Sequence, residues 1–268
     1  MWGIILAAGR GRRMLPISSV RPKPSLPLKG KPIIRRIAEA LSEHTSKLGA
    51  NLHHLPWEIL RDLEGMDLAL SLEAELLGTC GGLRRMVSLF GIRGDVFVQN
   101  GDTVLLTSYQ EILSFHRRNP HPLTLALCPH RPPYTPISVD GGRLKIGEGH
   151  HFYCGIMVIS GEVLERIPPS GNLVLDFAAT LPVGAVEAEV LEFTEPSGYL
   201  RAHGQGEWVE EGAKVHETAL LENSVIMREG EVGRGAVVIN SVVVRGRVSP
   251  GEVIRGGIFI DGEVFPLP

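Results

Sequence analysis

The sequence predicts an α/β protein in which a mostly parallel sheet is followed by a short parallel β-helix. Continuous apolar runs alternate with helical apolar spacing up to about residue 203, a pattern typical of parallel strands joined by crossover helices. After Gly204 the helical spacing stops and aliphatic residues recur every six residues, the period of a parallel β-helix. We therefore predict one domain over residues 1–203 and a second over residues 204–268.

Each element of the first domain is predicted from its own pattern. Continuous apolar runs predict strands, and apolar residues at three- and four-residue steps predict helices. The predicted strands are 2–8, 67–72, 95–99, 123–128 and 152–160. The predicted helices are 32–41, 57–63, 82–89, 109–118 and 161–166. We expect the first helix to bury one face, made of Ile33, Ile34, Ile37, Ala38 and Leu41.

The repeat of the second domain predicts which of its aliphatic residues point inward. The repeating positions are Val215 and Leu221, then Ile226, Val232 and Val238, and, after a four-residue step, Val242, Val248, Ile254 and Ile260. Three hexapeptides make one coil of about 18 residues. The segment is therefore long enough for two to three coils. A small antiparallel sandwich is the alternative.

Composition excludes several classes of protein. The chain has 268 residues, with 27 basic and 30 acidic side chains and a net charge of −3, whereas general nucleic-acid binders are usually basic. No apolar run reaches the 18 or so residues of a membrane span, and we expect no signal peptide. Cys80, Cys128 and Cys154 form no CxxC pair, which favours a cytoplasmic protein without a zinc site.

The basic residues are concentrated at the N-terminus. The segment 1–38 contains nine basic side chains and no acidic one, so the segment 39–268 carries 18 basic and 30 acidic groups, or −12. A cationic patch on an otherwise anionic protein favours a small, highly charged anion over a long polymer. A solvated surface run is the alternative interpretation.

A glycine-rich turn follows the first strand. Gly9 and Gly11 allow backbone N–H groups to approach an anion, and Arg13 and Lys23 add charge and directed donors. Asp102 follows another predicted strand, and ligands of parallel sheets bind beyond the carboxyl ends of strands. We therefore expect both segments to line one crevice that binds a triphosphate.

Two common phosphate motifs are excluded. The dinucleotide fingerprint requires glycine at position 14, where this chain has Met14, and an acidic residue about 20 residues further on. This excludes a dehydrogenase of that type. The P-loop requires the pattern GxxxxGK[ST], which the segment lacks.

The run from Leu6 to Pro32 has the form LAAGxGxR…PKPxLPxxGKP, which resembles the signature of the sugar-1-phosphate nucleotidyltransferases. Further segments follow in the family's order. They are NLHHLP at 51–56, LGTCGG at 77–82, VQNGD at 98–102, CGI at 154–156 and PSGYLRA at 196–202. The first two resemble members of the mannose-1-phosphate guanylyltransferase and muramate uridylyltransferase types. The resemblance covers nearly the whole chain and implies a Rossmann-like nucleotidyltransferase fold with a left-handed β-helix.

The resemblance implies a reaction of an NTP with a sugar 1-phosphate that yields an NDP-sugar and pyrophosphate. It implies a nucleotide site formed by Leu6, Ala7, Ala8, Gly9, Gly11, Arg13, Gly78, Thr79 and Asp102. It makes Arg13 and Lys23 the catalytic residues, with Lys23 and Gly155 at the sugar phosphate. Asp102 is implied as a ligand of Mg²⁺.

The sequence departs from the family pattern in three places. Glu192 occupies the position of the second metal-binding Asp that the family usually has. Three alternatives are open: Glu192 binds Mg²⁺, Glu195 replaces it, or Asp102 and the phosphates hold the ion alone. The usual Glu-Lys-Pro before the sugar-site strand is replaced by the segment 147–151. Residues 35–72 also look shortened, and a strand expected there is reduced to about 47–52.

Substrate and assembly are expectations at this stage. The resemblance slightly favours GTP with mannose 1-phosphate, and UTP and dTTP remain open. A non-catalytic relative that senses nucleotide or sugar phosphate, or acts as a scaffold, is the alternative function. Short β-helices commonly pack against a copy of themselves, so we predict a homo-oligomer. Acyltransferase activity in the β-helix is not expected, because His216 is the only histidine in the repeat.

Overall fold

The computed structural model describes residues 1–267. The strands up to residue 191 are β1 (Trp2–Leu6), β2 (Pro27–Leu28), β3 (Lys31–Pro32), β4 (Lys47–Leu52), β5 (Ala69–Leu72), β6 (Val96–Asn100), β7 (Val104–Leu105), β8 (Leu123–Pro129), β9 (Ile137–Asp140), β10 (Arg143–Ile146), β11 (His151–Ile159), β12 (Val183–Glu187) and β13 (Val190–Leu191). The later strands are β14 (Glu207–Val209), β15 (Lys214–Val215), β16 (Leu220–Glu222), β17 (Ser224–Val232), β18 (Val237–Ile239), β19 (Val242–Val248), β20 (Val253–Arg255), β21 (Gly257–Ile260) and β22 (Glu263–Pro266).

The helices are fewer than the strands. The α-helices are α1 (Ile33–Ser42), α2 (Pro56–Asp62), α3 (Gly78–Leu89), α4 (Tyr109–Arg118) and α5 (Pro196–Ala202). Short 3-10 segments lie at Arg12–Met14, Ile17–Ser19, Lys23–Ser25, Gly161–Arg166 and Ala178–Thr180, and a π-helical turn lies at Leu173–Phe177. No helix among residues 1–267 has the length and apolar character that crossing a membrane requires.

The chain forms two compact units. The first contains Met1–Gly9 and Ile34–Leu191, and the second contains Arg10–Ile33 together with the chain from Glu192 onward. These units group neighbours in space rather than consecutive residues. The predicted boundary after residue 203 therefore stays a prediction.

The main sheet of the first unit has a parallel half and a mixed half. Strands β5, β4, β1 and β6 lie side by side and run parallel. Strand β11 runs antiparallel to β6, and β8, which is also antiparallel to β11, pairs in parallel with β12. The predicted α/β class is confirmed. Buried Ile4 and Ile5 explain the unbroken apolar run of β1, because a central parallel strand is covered on both faces.

Helix α1 buries the face that its spacing predicts. The five predicted residues are all at most 1% exposed: Ile33, Ile34, Ile37, Ala38 and Leu41. Helix α4 has the predicted bounds, and β4 occupies the shortened segment at residues 47–52. The period of 3.6 residues thus locates both helices correctly.

Parts of the first unit differ from the prediction. Helix α3 begins at Gly78 rather than at the predicted Gly82, so the Gly-Thr-Cys-Gly-Gly segment is its first turn rather than a free loop. The hairpin β9–β10 and the strand β12 have no counterpart among the predicted strands. Strand β10 is mostly exposed, and an exposed hairpin has little apolar alternation to reveal it.

His116 is a buried titratable group under the sheet. It lies on α4, where its Nδ1 is 2.9 Å from the Thr124 hydroxyl and its Nε2 is 3.3 Å from the Ser160 hydroxyl. Burial lowers the pKa of His116, and the nearby Asp95 carboxylate opposes that shift only in part. The folded protein therefore favours the neutral imidazole.

We predict that the free energy of unfolding decreases as the pH falls below about 6.5, the ordinary histidine value. The unfolded chain then binds a proton that folded His116 does not bind, and the loss continues until the pH passes below the lowered pKa of the folded state. Urea unfolding across this range tests the prediction. His116→Gln should flatten the slope, whereas His150→Gln, at an exposed position, should leave it unchanged. An unchanged slope in His116→Gln would contradict the assignment.

The second unit contains the predicted β-helix. Within the residues described, its strands stack in parallel on three sides. One side consists of β14, β17, β19 and β21. A second consists of β15 with the later residues of β17 and β19, and the third of β16, β18 and β20. Val225 pairs with Val242, and Val242 pairs with Ile258 on the next coil. These offsets are smaller than three full hexapeptides, so the predicted coil is too long.

The shorter coil changes which residues point inward. The core of the β-helix consists of Ile226, Val232, Ala236, Val238, Val243, Val248, Ile254 and Phe259, with Val215 and Leu221 packed against it. The six-residue rule selects Val242 and Ile260 in place of their neighbours Val243 and Phe259. The step from Val238 to Val243 is shorter than a hexapeptide, and a shorter turn shifts the side-chain alternation of the strand that follows it.

A buried ion pair connects the N-terminal segment of the second unit to its first coil. Arg21 donates to both carboxylate oxygens of Glu210 at 2.5 and 2.6 Å, and its Nε donates to the Ser25 carbonyl at 2.8 Å. Glu210 also accepts from the Arg228 backbone N–H at 2.8 Å. Arg21 is 4% and Glu210 is 5% exposed. The charges are thus desolvated but well supplied with hydrogen bonds.

We predict that Glu210→Ala lowers the free energy of unfolding by about 3–5 kcal/mol, because it leaves the Arg21 guanidinium buried without the carboxylate that balances its charge. The matched control is Glu231→Ala, which removes the 2.6 Å pair with exposed Lys214 and should have a far smaller effect, since water screens that pair. Denaturant unfolding of both variants decides the matter. Equal losses in the two variants would mean that burial does not strengthen the pair.

Candidate active site

The carboxyl ends of the parallel strands β4, β1 and β6, together with the neighbouring part of the antiparallel strand β11, carry the candidate residues in one row. Leu6 of β1 pairs with Asn51 of β4 on one side and with Asn100 of β6 on the other. Gly155 of β11 lies next to Ile156, which pairs with Gln99. The predicted residues Leu6, Ala7 and Gly155 thus lie at one edge of the sheet, with the Asp102 turn following β6.

Asn51 and Glu73 fix the start of the loop after β1. The Ala7 N–H donates to the Asn51 side-chain oxygen at 2.9 Å, and the Asn51 side-chain amide donates to Glu73 Oε1 at 2.7 Å. The other oxygen of Glu73 accepts from the Leu77 N–H at 3.2 Å. Asn51 and Glu73 are each 2% exposed. Neither residue is among the site residues predicted from the sequence.

This network joins two segments predicted to hold the nucleotide. Asn51 holds the backbone at Ala7, and Glu73 holds Leu77, the residue before Gly78. A buried carboxylate is stable only when its oxygens accept hydrogen bonds, and the amide of Asn51 supplies one of them. Asn51 at the end of an apolar strand is the signal that the sequence offers, since a buried polar side chain needs a partner.

Gly78 and Thr79 begin helix α3 and pack against the turn that precedes the π-helical segment. The Thr79 hydroxyl accepts from the Leu173 N–H at 2.9 Å, and the Cys80 N–H donates to the Gly171 carbonyl at 3.0 Å. A Cβ on Gly78 would lie 2.5 Å from the Gly171 oxygen, and its φ is +76°. Backbone geometry therefore requires glycine here. Burial raises the pKa of the Cys80 thiol to about 11, which keeps it unreactive.

Asp102 lies in a rigid turn. The Gly101 N–H donates to the Leu6 carbonyl at 2.8 Å, and the Gln99 side-chain amide donates to the Thr103 carbonyl at 2.8 Å. Gln99 in turn accepts from the Tyr109 hydroxyl at 2.9 Å, and burial raises the pKa of that phenol to about 12. Asp102 itself is half-buried. The turn is thus held on both sides of a carboxylate that reaches the surface.

Gly155 approaches Asn100 closely. A Cβ on Gly155 would lie 2.6 Å from the Asn100 side-chain nitrogen, and the residue has a φ of +85°. The pairing of β11 with β8 shifts register at this point, as expected at a β-bulge. Gly155 is therefore required by the strand geometry, whatever its contact with a ligand.

Gly9 differs from these glycines. A Cβ at Gly9 would meet no atom within 4 Å among the described residues, and the φ angle of Gly9 is not positive. Neither packing nor conformation requires glycine at this position. Gly9 is exposed, so its backbone is accessible to a ligand.

Of the remaining predicted residues, Ala8 is buried in the first unit, and the others belong to the second unit. Gly11 has a φ of +60° and precedes the 3-10 segment that carries exposed Arg13. Lys23 is 9% exposed, and its Nζ lies 5.3 Å from the centre of the Phe193 ring, a cation–π distance. Phe193 follows the half-buried Glu192. Because Phe193 directly follows Glu192 in the chain, this contact places the Glu192 backbone near Lys23.

Glu195 is engaged elsewhere. It accepts from the Ser197 hydroxyl at 3.0 Å and lies 3.5 Å from the Arg201 guanidinium. Among residues 1–267, no group of three or more His, Cys, Asp or Glu side chains is arranged to hold a metal ion. Mg²⁺ needs only one or two protein carboxylates when substrate phosphates complete its shell. The half-buried carboxylate of Asp102 fits that requirement.

The segment that replaces the expected Glu-Lys-Pro lines a cavity. The cavity has a volume of about 390 Å³ and is lined by Leu127, Ser138, Val139, Gly149, His150, His151, Ala185, Val186 and Glu187. The His151 imidazole lies 3.2 Å from a Glu187 carboxylate oxygen. Strand β8 runs in the same direction as β6, because both are antiparallel to β11. The carboxyl end of β8 therefore lies at the same edge of the sheet as Ala7.

Comparison with known proteins places this geometry in context. Residues 3–132 match the model of the MobA-like NTP transferase domain. The bifunctional protein GlmU of Methanococcus maripaludis is 35% identical over 116 residues, which cover 43% of this chain and 28% of that protein. The chain thus matches well under half of that relative's length.

A second relative is similar over almost the whole chain. The mannose-1-phosphate guanylyltransferase of Mycobacterium tuberculosis is 27% identical over 298 aligned positions, which cover 94% of this chain and 82% of that protein. The crystal structure of HddC from Yersinia pseudotuberculosis, complexed with GMP-PN, superposes with a TM-score of 0.64 at 22% identity, over 75% of this chain and 97% of HddC. This likeness shows a shared fold.

We predict that Asn51→Ala increases the hydrogen-exchange rate of the Ala7 amide by at least about tenfold, because its acceptor is lost and one oxygen of Glu73 loses its donor. Amide exchange followed by mass spectrometry or NMR measures this. Asn119→Ala, which removes other side-chain hydrogen bonds of the first unit, is the matched control and should leave Ala7 protected. Unchanged protection of Ala7 in Asn51→Ala would show that the amide is held by other means.

Proposed function

We propose that this chain, which matches the MobA-like NTP transferase domain over residues 3–132 and is similar to sugar-1-phosphate nucleotidyltransferases, joins an NTP to a sugar 1-phosphate and releases pyrophosphate. The observation that carries this proposal is the row of strand ends at Asn51, Leu6 and Asn100, which presents a fixed Ala7 backbone and the Asp102 turn at one edge. Ligands of such sheets bind at that edge.

The proposed reaction is an in-line displacement. A phosphate oxygen of the sugar 1-phosphate attacks the α-phosphorus of the NTP, a new P–O bond forms, and the bond to the departing pyrophosphate breaks. Little covalent chemistry falls to the protein, so its task is to position the substrates and to neutralise charge. Arg13 and Lys23 are the residues we propose for charge neutralisation, at the pyrophosphate and at the sugar phosphate respectively.

The nucleotide is proposed to lie against the backbone of Leu6, Ala7 and Ala8, with Gly78 and Thr79 on the other side of the base. Asn51 and Glu73 support this role by linking the Ala7 and Leu77 backbones. The open space at Gly9 supports close approach of phosphate oxygens to the main chain, and Gly11 continues that turn.

Mg²⁺ is the proposed cofactor, and it would neutralise the phosphates and orient them for attack. Asp102 is the proposed protein ligand. Glu192 is proposed as a second ligand, whereas Glu195 is the weaker candidate because Ser197 and Arg201 engage its carboxylate. Gly155 is proposed to line the sugar subsite.

The proposed substrates are GTP and mannose 1-phosphate, with UTP and dTTP as open alternatives. The relative that matches 94% of this chain carries the name mannose-1-phosphate guanylyltransferase, which supports that choice. The replaced segment 147–151 and its cavity supply imidazole, hydroxyl and carboxylate groups suited to sugar hydroxyls. We also propose a cytoplasmic location, supported by three cysteines that form no disulfide, and association of copies through the β-helix.

A non-catalytic sensor of the same ligands is the second candidate, and the exchange of Asp for Glu at position 192 is the observation that favours it. Pyrophosphate release distinguishes the two. The protein is incubated with Mg²⁺, each NTP in turn and a panel of sugar 1-phosphates. Release that requires one NTP and one sugar phosphate together is the expected result. Binding of both ligands without release would favour the sensor.

We predict that Asp102→Asn lowers kcat by about 100-fold or more. The uncharged amide binds Mg²⁺ less well than the carboxylate, and Mg²⁺ is the ion proposed to neutralise the phosphates. The circular-dichroism spectrum should stay unchanged, since hydrogen bonds of Gly101 and Gln99 hold the turn. Asp67→Asn, at an exposed position, is the control. Near-normal turnover of Asp102→Asn would remove this residue from the metal site.

A further inference from the structure

A cavity of about 460 Å³ lies along one corner of the β-helix, where three successive coils leave its second side. Its charged and titratable side chains are Lys214 and His216 from the first of these coils, Glu231 and Arg234 from the next, and Arg247 from the last. We call this set the basic corner. It combines three cations with one carboxylate, in a cavity whose size suits a small molecule.

The charge of the basic corner is opposite to that of the domain around it. Residues 204–268 carry six basic and ten acidic side chains, or −4. Three of the six basic side chains line this cavity. Of the other three, Arg228 lies 3.9 Å from Glu210, and Arg245 pairs with Asp261. Cations gathered in a cavity of an otherwise anionic domain attract small anions.

One ion pair within the basic corner is already formed. The Lys214 ammonium donates to a Glu231 carboxylate oxygen at 2.6 Å. This hydrogen bond lowers the pKa of Glu231, so the carboxylate stays ionised at neutral pH. The two charges of the pair balance each other. The charge that remains is that of the Arg234 and Arg247 guanidinium groups.

The two arginines have exposed side chains that the fold leaves available. Within residues 1–267, neither the Arg234 nor the Arg247 guanidinium forms a hydrogen bond or a salt bridge. The charge of Arg247 acts on Glu231 without a hydrogen bond. A guanidinium has five N–H donors, in a planar arrangement that matches phosphate oxygens. The donors of both groups are therefore free to hold an anion.

His216 adds a neutral hydrogen-bond donor. Its Nδ1 accepts from the Thr218 backbone N–H at 3.2 Å. Because a backbone N–H can only donate, Nδ1 carries no proton, and the neutral ring has its proton on Nε2. The Nε2–H group is then a donor on a side chain that lines the cavity. The proposed reaction gives this histidine no role.

We propose that the basic corner binds a phosphate dianion, either as free phosphate or as the phosphate group of a small metabolite. Such a group carries about −1.5 to −2 charges at neutral pH, which the two guanidinium groups of Arg234 and Arg247 balance. His216 supplies a further donor. Glu231 lies between Lys214 and Arg247 in the stacked column, so a long polyanion would meet its carboxylate. The site lies within the β-helix and is independent of the proposed reaction.

Phosphate titrations followed by NMR test binding at this place. Sodium phosphate and glycerol 3-phosphate are added to the isotope-labelled full chain at one low ionic strength, because salt screens exposed charges. Sodium chloride is the control for a monovalent anion. The His216 ring and the Gly233 amide, both in the cavity lining, report this site separately from any phosphate at the candidate active site.

Both phosphate probes should shift these two resonances to saturation, with a dissociation constant on the order of millimolar or below, whereas chloride should not. Tighter binding of glycerol 3-phosphate than of phosphate supports a metabolite as the ligand, and equal binding supports free phosphate. If neither phosphate probe shifts the His216 and Gly233 resonances, the proposal is wrong.

Charge variants test which groups hold the anion. Arg234→Gln and Arg247→Gln should each weaken phosphate binding by about fivefold or more, because each removes one charge-assisted set of donors. Arg255→Gln, at an exposed arginine on β20 outside the cavity, is the matched control and should bind as wild type. Binding as tight as wild type in both Arg234→Gln and Arg247→Gln would overturn the assignment.

Glu231→Gln should change phosphate binding in the opposite direction. It removes the carboxylate that repels the anion and frees the Lys214 ammonium, so we expect binding to become tighter by about fivefold. Circular dichroism and thermal unfolding establish that each variant retains the β-helix. Weaker phosphate binding in a folded Glu231→Gln variant would contradict an anion site at the basic corner.

Discussion

The buried pair of Arg21 and Glu210 is the contact on which the second unit depends. Two charges removed from water are tolerated only when hydrogen bonds satisfy them. Here the guanidinium donates to Glu210 and to the Ser25 carbonyl, and the carboxylate also accepts from the Arg228 backbone. Few arrangements of the chain can meet all these requirements. The pair therefore fixes the path of the basic N-terminal segment against the first coil, and Lys23 follows shortly after Arg21 in that segment.

The first unit solves a different problem with a neutral side chain. Strand β1 ends at Leu6, so the next N–H, that of Ala7, has no strand partner. Asn51, paired with Leu6 on the neighbouring strand, supplies the missing acceptor. A buried amide must also satisfy its own donors, and Glu73 accepts from it. One backbone group left over at a strand end thus accounts for a network of buried polar residues at the candidate site.

The parts of the fold that depend on local periodicity are predictable from the sequence. Helices α1 and α4 follow from apolar spacing, because burial of one face repeats every 3.6 residues. The exposed β9–β10 hairpin is not predictable, because it has little apolar alternation. Strand β12 and the early start of α3 are not predictable either, because they depend on partners distant in sequence. The β-helix lies between these cases. Its period is visible in the sequence, but its corners make each coil shorter than three hexapeptides, which no hexapeptide count could reveal.

The glycines of the candidate site show how a motif combines two kinds of constraint. Gly78 and Gly155 have positive φ and lie against neighbouring atoms, so the fold alone requires glycine at both positions. A sequence cannot separate that requirement from ligand binding, since both give the same letter. Gly9 has neither constraint. Of these three, it is the glycine whose presence the folded chain does not explain, and the space beside it is where an anion has access to the main chain.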